Sequence, residues 1–335
     1  MNNHERIARI LCRQFLTSPG EKETVCQDLC GFQAQFLSNS RHALAIRCGM
    51  PLTEPWGQGL LKSWTLRGTV HVFAEKDLPL MLHAGRNHFL RPKDTMENDE
   101  FAAADRKSYF AALILESLSD GPLERETLRT LCREHGMTDR EEESLFDPWG
   151  GLLRALAEAG KIAHVVQEKK AFIRCSAFEP MPLEAAQLEL ARRYFTAYGP
   201  ATVRDAAYFF GVNQKTVKGW MDRLPVEGNG CYSISDGRSD WPEIPACLFL
   251  AGFDPLLMGY EKKESLFLPP AHLRQVFSLA GIVSPTVLLH GQIAARWKRT
   301  GKKLQLWPFR ELTALEKTQI QQTAERVFGS VQITL

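Results

Sequence analysis

The sequence lacks the features that define several common protein classes. No apolar run approaches the roughly 18–20 residues that a helix needs to span a bilayer, and the first residues include no apolar stretch typical of a signal peptide. P-loops, Rossmann glycine fingerprints, zinc-deaminase signatures and the Gly-x-Ser-x-Gly elbow are also missing. We therefore exclude nucleotide hydrolases, deaminases and serine hydrolases, and we expect a cytoplasmic protein with no membrane partner.

A disulfide framework and a strong charge bias are absent as well. Only Cys26 and Cys30 of the eight cysteines lie close together, and no second pair completes a zinc site. We therefore expect reduced, mostly buried thiols. The formal net charge is +2, so a surface that binds a polyanion needs locally clustered cations. The 335 residues suit two or three domains.

Apolar spacing predicts an α+β chain in which helical blocks alternate with short hairpins. Three successive segments each combine helices with a hairpin, which is the pattern of a winged helix, and a mostly β lobe follows from about residue 245. We thus predict three tandem winged-helix domains plus a C-terminal β-rich lobe. The predicted domains are 1–104, 105–180, and 181–335, the last joining the third winged helix to the β-rich lobe.

The first two segments have comparable predicted elements. Alternation over 64–73 predicts one strand that places Thr65, Arg67, Thr69 and His71 on a single face. Gly160 is expected to end a helix as a C′ glycine. The predicted helices of these segments are 4–17, 22–30, 38–48, 105–118, 123–134 and 145–159, and a hairpin covers 161–174.

The third segment carries the clearest helix-turn-helix pattern. Thr202 is a plausible N-cap with Asp205 at N3, and Gly211 supplies the turn between two helices. Lys215 and Lys218 lie on the second helix, where a recognition helix meets phosphates or base edges. We therefore predict that both lysines bind DNA.

The β-rich lobe contains the strongest basic cluster. Five cations could pair with phosphates around a hairpin tip at 300–301, and the alternative is a solvated charged turn. A second tip is expected at 290–291. The cluster comprises Arg296, Lys298, Arg299, Lys302 and Lys303. Predicted strands are 247–252, 265–268, 286–290, 292–298, 304–307 and 331–335, with a helix at 313–328.

The most informative string is Gln33-Ala34-Gln35, which directly follows Gly31-Phe32. Residues i and i+2 share a face only in extended chain, and Gly31 permits an irregular entry that lets both amides reach one cavity. An amide can hold a water molecule but cannot deprotonate it. Two amides therefore suit a reaction whose leaving group is already activated. The alternative is that these amides cap a helix or face solvent.

Five strings in order resemble one bacterial family. They are the Gln-Ala-Gln string, Trp-Thr-Leu-Arg-Gly-Thr-Val-His at 64–71, Gly-Pro-Ala-Thr-Val-Arg-Asp at 199–205, Phe-Asp-Pro-Leu-Leu-Met-Gly-Tyr at 253–260, and Ile-Val-Ser-Pro-Thr-Val-Leu-Leu at 282–289. This set is similar to the winged-helix DNA glycosylase family typified by AlkZ and YcaQ, over roughly 5–330. The resemblance implies tandem winged helices around a DNA-binding surface and excision of N-alkylated purines, including cross-linked ones.

The resemblance also implies site residues. The family's catalytic Gln-x-Gln matches Gln33 and Gln35, and the second glutamine places the chain on the AlkZ-like side. The implied activity is that of a monofunctional glycosylase, acting as a monomer on double-stranded DNA that carries cationic N3- or N7-alkylpurines. No cofactor and no metal are implied. The alternative is a non-catalytic regulator built on winged helices, which would not need the two glutamines.

Three further residues are candidates for catalytic support. Asp254 follows an apolar run and could stabilise an oxocarbenium ion, with a structural turn or cap as the alternative. Arg67 and His71 could contact the DNA backbone or a flipped nucleotide, or belong to a solvated strand face. The family's Tyr-x-Asp-Arg-like stretch is replaced here by Tyr-Glu-Lys-Lys-Glu at 260–264, so the substrate range is expected to differ. The histidines at 83 and 88 look metal-like, but helix surface or DNA contact is favoured.

Overall fold

The computed structural model describes residues 1–88, 95–147 and 150–334. The chain is α+β, as predicted, and forms two compact units. The first unit combines Met1–Pro55 with Gln187–Leu335, and the second unit is Trp56–Ala186. This division differs from the three predicted domains. The N-terminal helices group with the C-terminal part of the chain, because long-range packing rather than local pattern decides which elements share a core.

The N-terminal part of the first unit is short and mostly helical. The helix predicted over 4–17 ends at residue 13, because Phe15 adopts a left-handed φ of 59° that a helix cannot contain. Asn2 caps its start by accepting a hydrogen bond from the Glu5 amide at 2.8 Å. The elements are the helices Asn3–Arg13, Lys22–Asp28 and Leu37–Cys48 and the short strand β1 (Phe32–Gln33).

The second unit contains short helices against an antiparallel sheet. Within it, the strand order is β3-β2-β5-β6-β4, and the buried side chains of Phe110, Ile114 and Phe172 lie in one apolar core. Its strands are β2 (Leu60–Trp64), β3 (Val70–Ala74), β4 (Leu123–Glu124), β5 (Ile162–Val165) and β6 (Ala171–Arg174). Its helices are Leu78–Met81, Ala104–Ser117, Arg125–Glu134, Asp139–Leu145 and Gly151–Glu158.

Two predictions about this unit are wrong. The single strand at 64–73 is a hairpin, because Arg67 (φ 56°) and Gly68 (φ 66°) adopt left-handed backbone conformations that reverse the chain. Two helices replace the single helix predicted at 145–159: one ends at Leu145 and the other begins at Gly151. Residues 148 and 149 lie outside the described residues. The hairpin at 161–174 and the left-handed Gly160 are confirmed.

The helix-turn-helix elements of the first unit follow the sequence closely. Thr202 Oγ1 accepts from the Asp205 amide at 3.0 Å, and Asp205 Oδ2 accepts from the Thr202 amide at 2.8 Å. This capping box and the left-handed Gly211 were both predicted and are confirmed. The elements are the helices Leu183–Ala197, Val203–Phe210 and Gln214–Met221, followed by the hairpin of β7 (Val226–Asn229) and β8 (Cys231–Ile234).

The C-terminal lobe is a sheet with strand order β13-β12-β11-β10-β9, covered on one face by the helix Ala314–Phe328. The strand predicted at 265–268 is wrong, because the Ser265 hydroxyl accepts from the amides of Phe267 and Leu268 and holds a turn. The strands are β9 (Cys247–Leu250), β10 (Thr286–Leu289), β11 (Gln292–Thr300), β12 (Lys303–Pro308) and β13 (Gln332–Thr334). Two four-residue helices, Pro255–Met258 and Leu273–Val276, lie between β9 and β10.

Across the described ranges, no helix combines the length and the apolar character that crossing a bilayer requires.

Candidate active site

Two left-handed residues lead into the glutamine segment. The Gly31 amide donates to the Cys26 carbonyl at 2.8 Å, and the Cys30 amide donates to the Gln27 carbonyl at 3.1 Å. This is the Schellman pattern that ends a helix. Cys30 (φ 56°) occupies the position that usually belongs to glycine, and a side chain there is strained. The strain lies directly before the candidate catalytic residues and fixes the direction in which the chain leaves the helix.

Phe32 and Gln33 form the short strand β1, and side-chain burial alternates from Phe32 to Gln35. Phe32 and Ala34 are each 1% exposed and point into the core, whereas Gln33 is half-buried and Gln35 is exposed. Side chains two apart in extended chain lie on the same side. The two amides therefore face the same way, as the spacing predicted for an extended entry.

The two amides also contact each other. Gln33 Nε2 donates to Gln35 Oε1 at 3.1 Å. Gln33 Oε1 is buried and accepts no hydrogen bond from any residue in the described ranges. A buried acceptor without a donor costs about 1–3 kcal/mol, so native proteins keep few of them. The pair thus leaves one acceptor, Gln33 Oε1, to which no described residue donates.

The helix that follows holds this segment in place. The Ser40 hydroxyl, buried in the helix Leu37–Cys48, donates to the Gln33 carbonyl at 2.9 Å. Phe36 is 49% exposed beside Gln35 and stacks on Phe253 with ring centroids 6.0 Å apart. Neither Ser40 nor Phe36 was predicted from the sequence. The signal that could have indicated Phe36 is an aromatic residue directly after the second glutamine.

Asp254 is part of a buried ion pair and not of an open site. Arg47 donates to its two oxygens at 2.7 and 3.0 Å, and both side chains are 0% exposed. Asp254 Oδ1 also accepts from the Leu256 amide at 2.9 Å and caps the helix Pro255–Met258. Arg47 further donates to the Ala43 carbonyl. The carboxylate is therefore already engaged by protein donors, which favours the cap that the sequence left as the alternative to catalytic support.

The turn that carries Asp254 lies against the helix that follows the glutamines. Phe253 has a left-handed φ of 57°. A Cβ at Gly252 would lie 2.6 Å from Asn39 Nδ2 and 2.8 Å from the Val283 carbonyl oxygen, so only glycine fits. The Asn39 side chain, on the helix that follows the amides, and the Val283 carbonyl thus both lie close to Gly252.

Arg67 and His71 lie in the second unit, in the hairpin between β2 and β3. His71 Nδ1 is 2.9 Å from Thr65 Oγ1 and 3.1 Å from the Thr69 carbonyl. Burial lowers the pKa of His71 to about 3, with Arg67 adding to the effect. A neutral imidazole cannot pair with phosphate or serve as a strong general acid near pH 7. Arg67 itself is half-buried in the turn, so the shared strand face predicted for the two residues does not exist.

The predicted basic cluster divides between the two faces of its hairpin. In the antiparallel pairing of β11 with β12, Arg296 lies opposite Trp307, Lys298 lies opposite Gln305, and Thr300 lies opposite Lys303. Because paired residues share a face, the side chains of Arg296, Lys298 and Lys303 lie on the same face. Arg296 stacks over Trp307 at 5.3 Å from its centroid, and the two lysines are exposed.

The remaining members of the cluster behave differently. Arg299 stacks over Phe328 at 5.2 Å and donates to the Gly301 carbonyl at 2.9 Å, on the face that the helix covers. Lys302 lies exposed in the turn. Trp297, which interrupts the charge in the sequence, is a buried core residue whose Nε1 donates to the Leu250 carbonyl at 3.0 Å. The predicted turn at 300–301 is confirmed.

The remaining residues predicted to contact DNA or a metal lie at exposed positions or contact a neighbouring side chain. Lys215 and Lys218 are exposed on the helix Gln214–Met221. His290 forms the expected tip between β10 and β11, with φ 47°. His88 Nδ1 lies 3.1 Å from a Glu158 carboxylate oxygen. A group of three or more metal-ligating side chains does not occur within residues 1–88, 95–147 and 150–334.

The stretch that departs from the family pattern is used structurally. The Glu261 amide donates to Asp205 Oδ1 at 2.9 Å, and Glu261 Oε2 accepts from the Lys263 amide at 3.1 Å. Arg204 lies 3.7 Å from the same carboxylate. Residues 260–264 therefore fasten the start of the helix Val203–Phe210, which is the first helix of the helix-turn-helix.

Comparison with known proteins gives this geometry its context. The model of the family described as "DNA glycosylase AlkZ-like" matches residues 26–328. The chain belongs to the AlkZ-like DNA glycosylase family. The interstrand DNA cross-link repair glycosylase of Streptomyces sahachiroi is 28% identical over 348 residues, covering 94% of this chain and 92% of that protein. The solved structure of the S. sahachiroi DNA glycosylase AlkZ superposes with a TM-score of 0.75 at 21% identity over 100% of both chains, which shows a shared fold.

The family assignment confirms the resemblance drawn from the five sequence strings. It also confirms the prediction of a DNA glycosylase and disfavours the alternative of a non-catalytic regulator. The roles of individual residues stay predictions, which the geometry of the amide pair now makes specific.

Proposed function

We propose that this AlkZ-like protein is a monofunctional glycosylase that hydrolyses the N-glycosidic bond of cationic N3- and N7-alkylpurines in double-stranded DNA and leaves an abasic site. The observation that carries the proposal is the buried acceptor Gln33 Oε1, which no described residue satisfies. That atom is fixed in place through Gln35 and Ser40. It suits a single water molecule that must be oriented rather than deprotonated.

The chemistry requires little more than this orientation. Alkylation at N3 or N7 gives the purine a positive charge, so the base departs as a neutral molecule without needing a proton. The sugar then develops oxocarbenium character, and a water oriented by Gln33 Oε1 attacks its C1′ carbon and releases its extra proton to bulk solvent, which leaves the abasic sugar. The amide dipoles stabilise the positive charge as it develops.

Interstrand cross-links are proposed as a further substrate. A cross-link attached at a purine N7 or N3 has the same cationic leaving group, so its release needs the same oriented water. The S. sahachiroi relative, whose name records cross-link repair, matches nearly the whole chain. Hydrolysis at one strand would free that strand from the other.

DNA binding is proposed to use a winged-helix framework in a monomeric protein. The helices Val203–Phe210 and Gln214–Met221 and the β7–β8 hairpin follow one another as such a domain requires. Lys215 and Lys218 are exposed on its second helix. Phosphate contacts from these lysines and from Arg296, Lys298 and Lys303 would give salt-dependent affinity.

The test uses duplexes that differ only in the lesion. N7-methylguanine, N3-methyladenine and a defined N7 cross-link should each yield alkali-labile strand breaks after incubation with the protein. Duplexes with hypoxanthine, uracil or 1,N6-ethenoadenine should react poorly, because these neutral bases need proton donation to leave. Release of a neutral base at rates near those for N7-methylguanine would mean that an unrecognised acid participates and that the charged-leaving-group mechanism is wrong.

A further inference from the structure

A tight turn in the first unit exposes two large apolar side chains. Leu279 is 89% exposed and Ile282 is 41% exposed. They lie in the segment Ser278–Ile282, which follows the helix Leu273–Val276. Single exposed apolar residues are common on protein surfaces, so the construction and the position of this turn decide whether the exposure has a function.

The turn is held closed at its base. The Ser278 amide donates to the Ile282 carbonyl at 2.9 Å, and the Ile282 amide donates to the Ser278 hydroxyl at 3.0 Å. Phe277 and Val283 form an isolated bridge just below, and both are buried. Leu279 therefore projects from a closed loop anchored in the core.

The base of this turn is next to the amide segment. The Val283 carbonyl and the Asn39 side chain both lie close to Gly252, and Asn39 belongs to the helix that begins two residues after Gln35. On the same unit, Phe253 supports Phe36 beside Gln35. The base of the apolar turn and the helix that follows the two amides therefore both lie close to Gly252.

Cations flank the turn. Lys262 Nζ lies 5.8 Å from the ring centroid of Phe277, and Arg274 is exposed on the helix that precedes it. Positive charge around an exposed apolar tip is suited to a nucleic-acid duplex, whose phosphates lie outside and whose stacked bases lie inside. It is less suited to an apolar protein surface, where the cations would lose water without gaining partners.

We propose that Leu279 is a wedge that enters the base stack when the damaged nucleotide leaves the duplex, with Ile282 widening its contact. The inference rests on the proposed function, because only chemistry at a nucleobase requires such displacement. Extruding a nucleotide removes its stacking and pairing. An apolar side chain that fills the gap replaces the lost base as a surface on which the neighbouring bases stack.

The experiment compares the wild type with Leu279→Ala on two duplexes containing N7-methylguanine. In one duplex the lesion faces cytosine, and in the other it faces an abasic analogue, so that no pairing has to be broken. Both carry 2-aminopurine beside the lesion, whose fluorescence rises when the stack opens. Leu279→Met tests rescue by a similar apolar side chain. Leu315→Ala is the matched control, since Leu315 is 65% exposed on the separate helix Ala314–Phe328.

We expect Leu279→Ala to slow single-turnover excision from the paired duplex by about 10–100-fold, the scale set by unstacking a base. The defect should shrink to within about threefold on the abasic-facing duplex, because less of the extrusion then depends on the wedge. The fluorescence rise on binding should be lost in Leu279→Ala and kept in the other two variants.

Three results would overturn the wedge: unchanged excision by Leu279→Ala, an equal defect on both duplexes, or the same loss in Leu315→Ala. If the wild type releases no base at all, the proposed function fails instead. The fluorescence signal still decides the inference in that case, since equal stack opening by wild type and Leu279→Ala contradicts the wedge without reference to catalysis.

Discussion

Two polar sites of the first unit were candidates for the same chemistry, and they differ in how their bonding capacity is used. Gln33 retains a buried oxygen that accepts from no described residue, and Gln35 is exposed beside it. Asp254 is 0% exposed, and its oxygens are bound by Arg47 and by the Leu256 amide. The Asp254 oxygens are thus already bound within the protein, whereas Gln33 Oε1 has no donor among the described residues.

Residue type alone does not show which of two polar groups has hydrogen-bonding capacity left for a substrate. A carboxylate is the stronger catalytic group in principle, but a buried one must be paired before the chain can fold. The neutral amides carry a smaller desolvation cost, so one of their oxygens can be left for a water molecule. We therefore expect stability and catalysis to depend on different side chains, and the following predictions test that separation.

The largest effect is expected from breaking the ion pair. Asp254→Asn leaves the Arg47 charge uncompensated at a fully buried position, which should lower the free energy of unfolding by about 3–5 kcal/mol. Urea denaturation of the purified variant measures this loss. The double variant Arg47→Met with Asp254→Leu should recover part of it, because an apolar pair needs no compensation. A stable Asp254→Asn protein with lost activity would instead return Asp254 to the reacting centre.

The opposite pattern is expected for the amides. Gln33→Ala or Gln35→Ala should slow single-turnover excision by about 10–1,000-fold, the scale of losing one preorganised polar contact. The free energy of unfolding should change little, and Gln33→Ala could even raise it, since the substitution removes an unsatisfied buried oxygen. DNA affinity should also change little. Full excision activity in the double variant would remove both residues from the mechanism.

A smaller effect extends the comparison to the cations of the basic hairpin. Lys298, Lys303 and Arg299 are all exposed, but Arg299 lies on the other face of the hairpin, where it stacks over Phe328 and donates to the Gly301 carbonyl. Charge reversal at both lysines should weaken binding to damaged and undamaged duplex alike and flatten the slope of log affinity against log salt by about 2. Arg299→Gln is the matched control and should change the slope less. An unchanged slope in the lysine variant would mean that this face does not meet DNA.

The smallest effect concerns titration. Burial lowers the pKa of both His71 and His164 to about 3, while the pKa of histidine in unfolded chain is about 6.5. As the pH falls through 6.5 towards 3, only the unfolded state takes up these protons, so stability is lost. The Tm should be about 2–4 °C lower at pH 6 than at pH 7.5. His164→Phe should reduce this difference, and a Tm that rises on acidification would contradict the assignment.

Local features of the fold could be predicted where side chains act on their own neighbours. The Thr202–Asp205 capping box and the left-handed Gly160 and Gly211 depend on residues within a few positions, and all are confirmed. The strand predicted at 64–73 was wrong because a non-glycine residue, Arg67, adopts a left-handed conformation that apolar alternation cannot reveal.

The candidate site could be predicted only in part, for a related reason. The glutamine pair was found because its two members are close together in the chain and resemble a family motif. The Arg47–Asp254 pair joins residues 207 positions apart, and no local pattern identifies such a partner. The same holds for Ser40 and Leu279, whose significance comes from what they contact or leave uncovered after folding.

The two-segment construction of the first unit has a consequence for synthesis. The second unit, residues 56–186, is continuous in sequence, whereas the first unit needs both ends of the chain. At a synthesis rate of roughly 5–20 residues per second, Asp254 is made about 10–40 seconds after Arg47. A chain that terminates early therefore carries both glutamines without the carboxylate that secures their supporting helix.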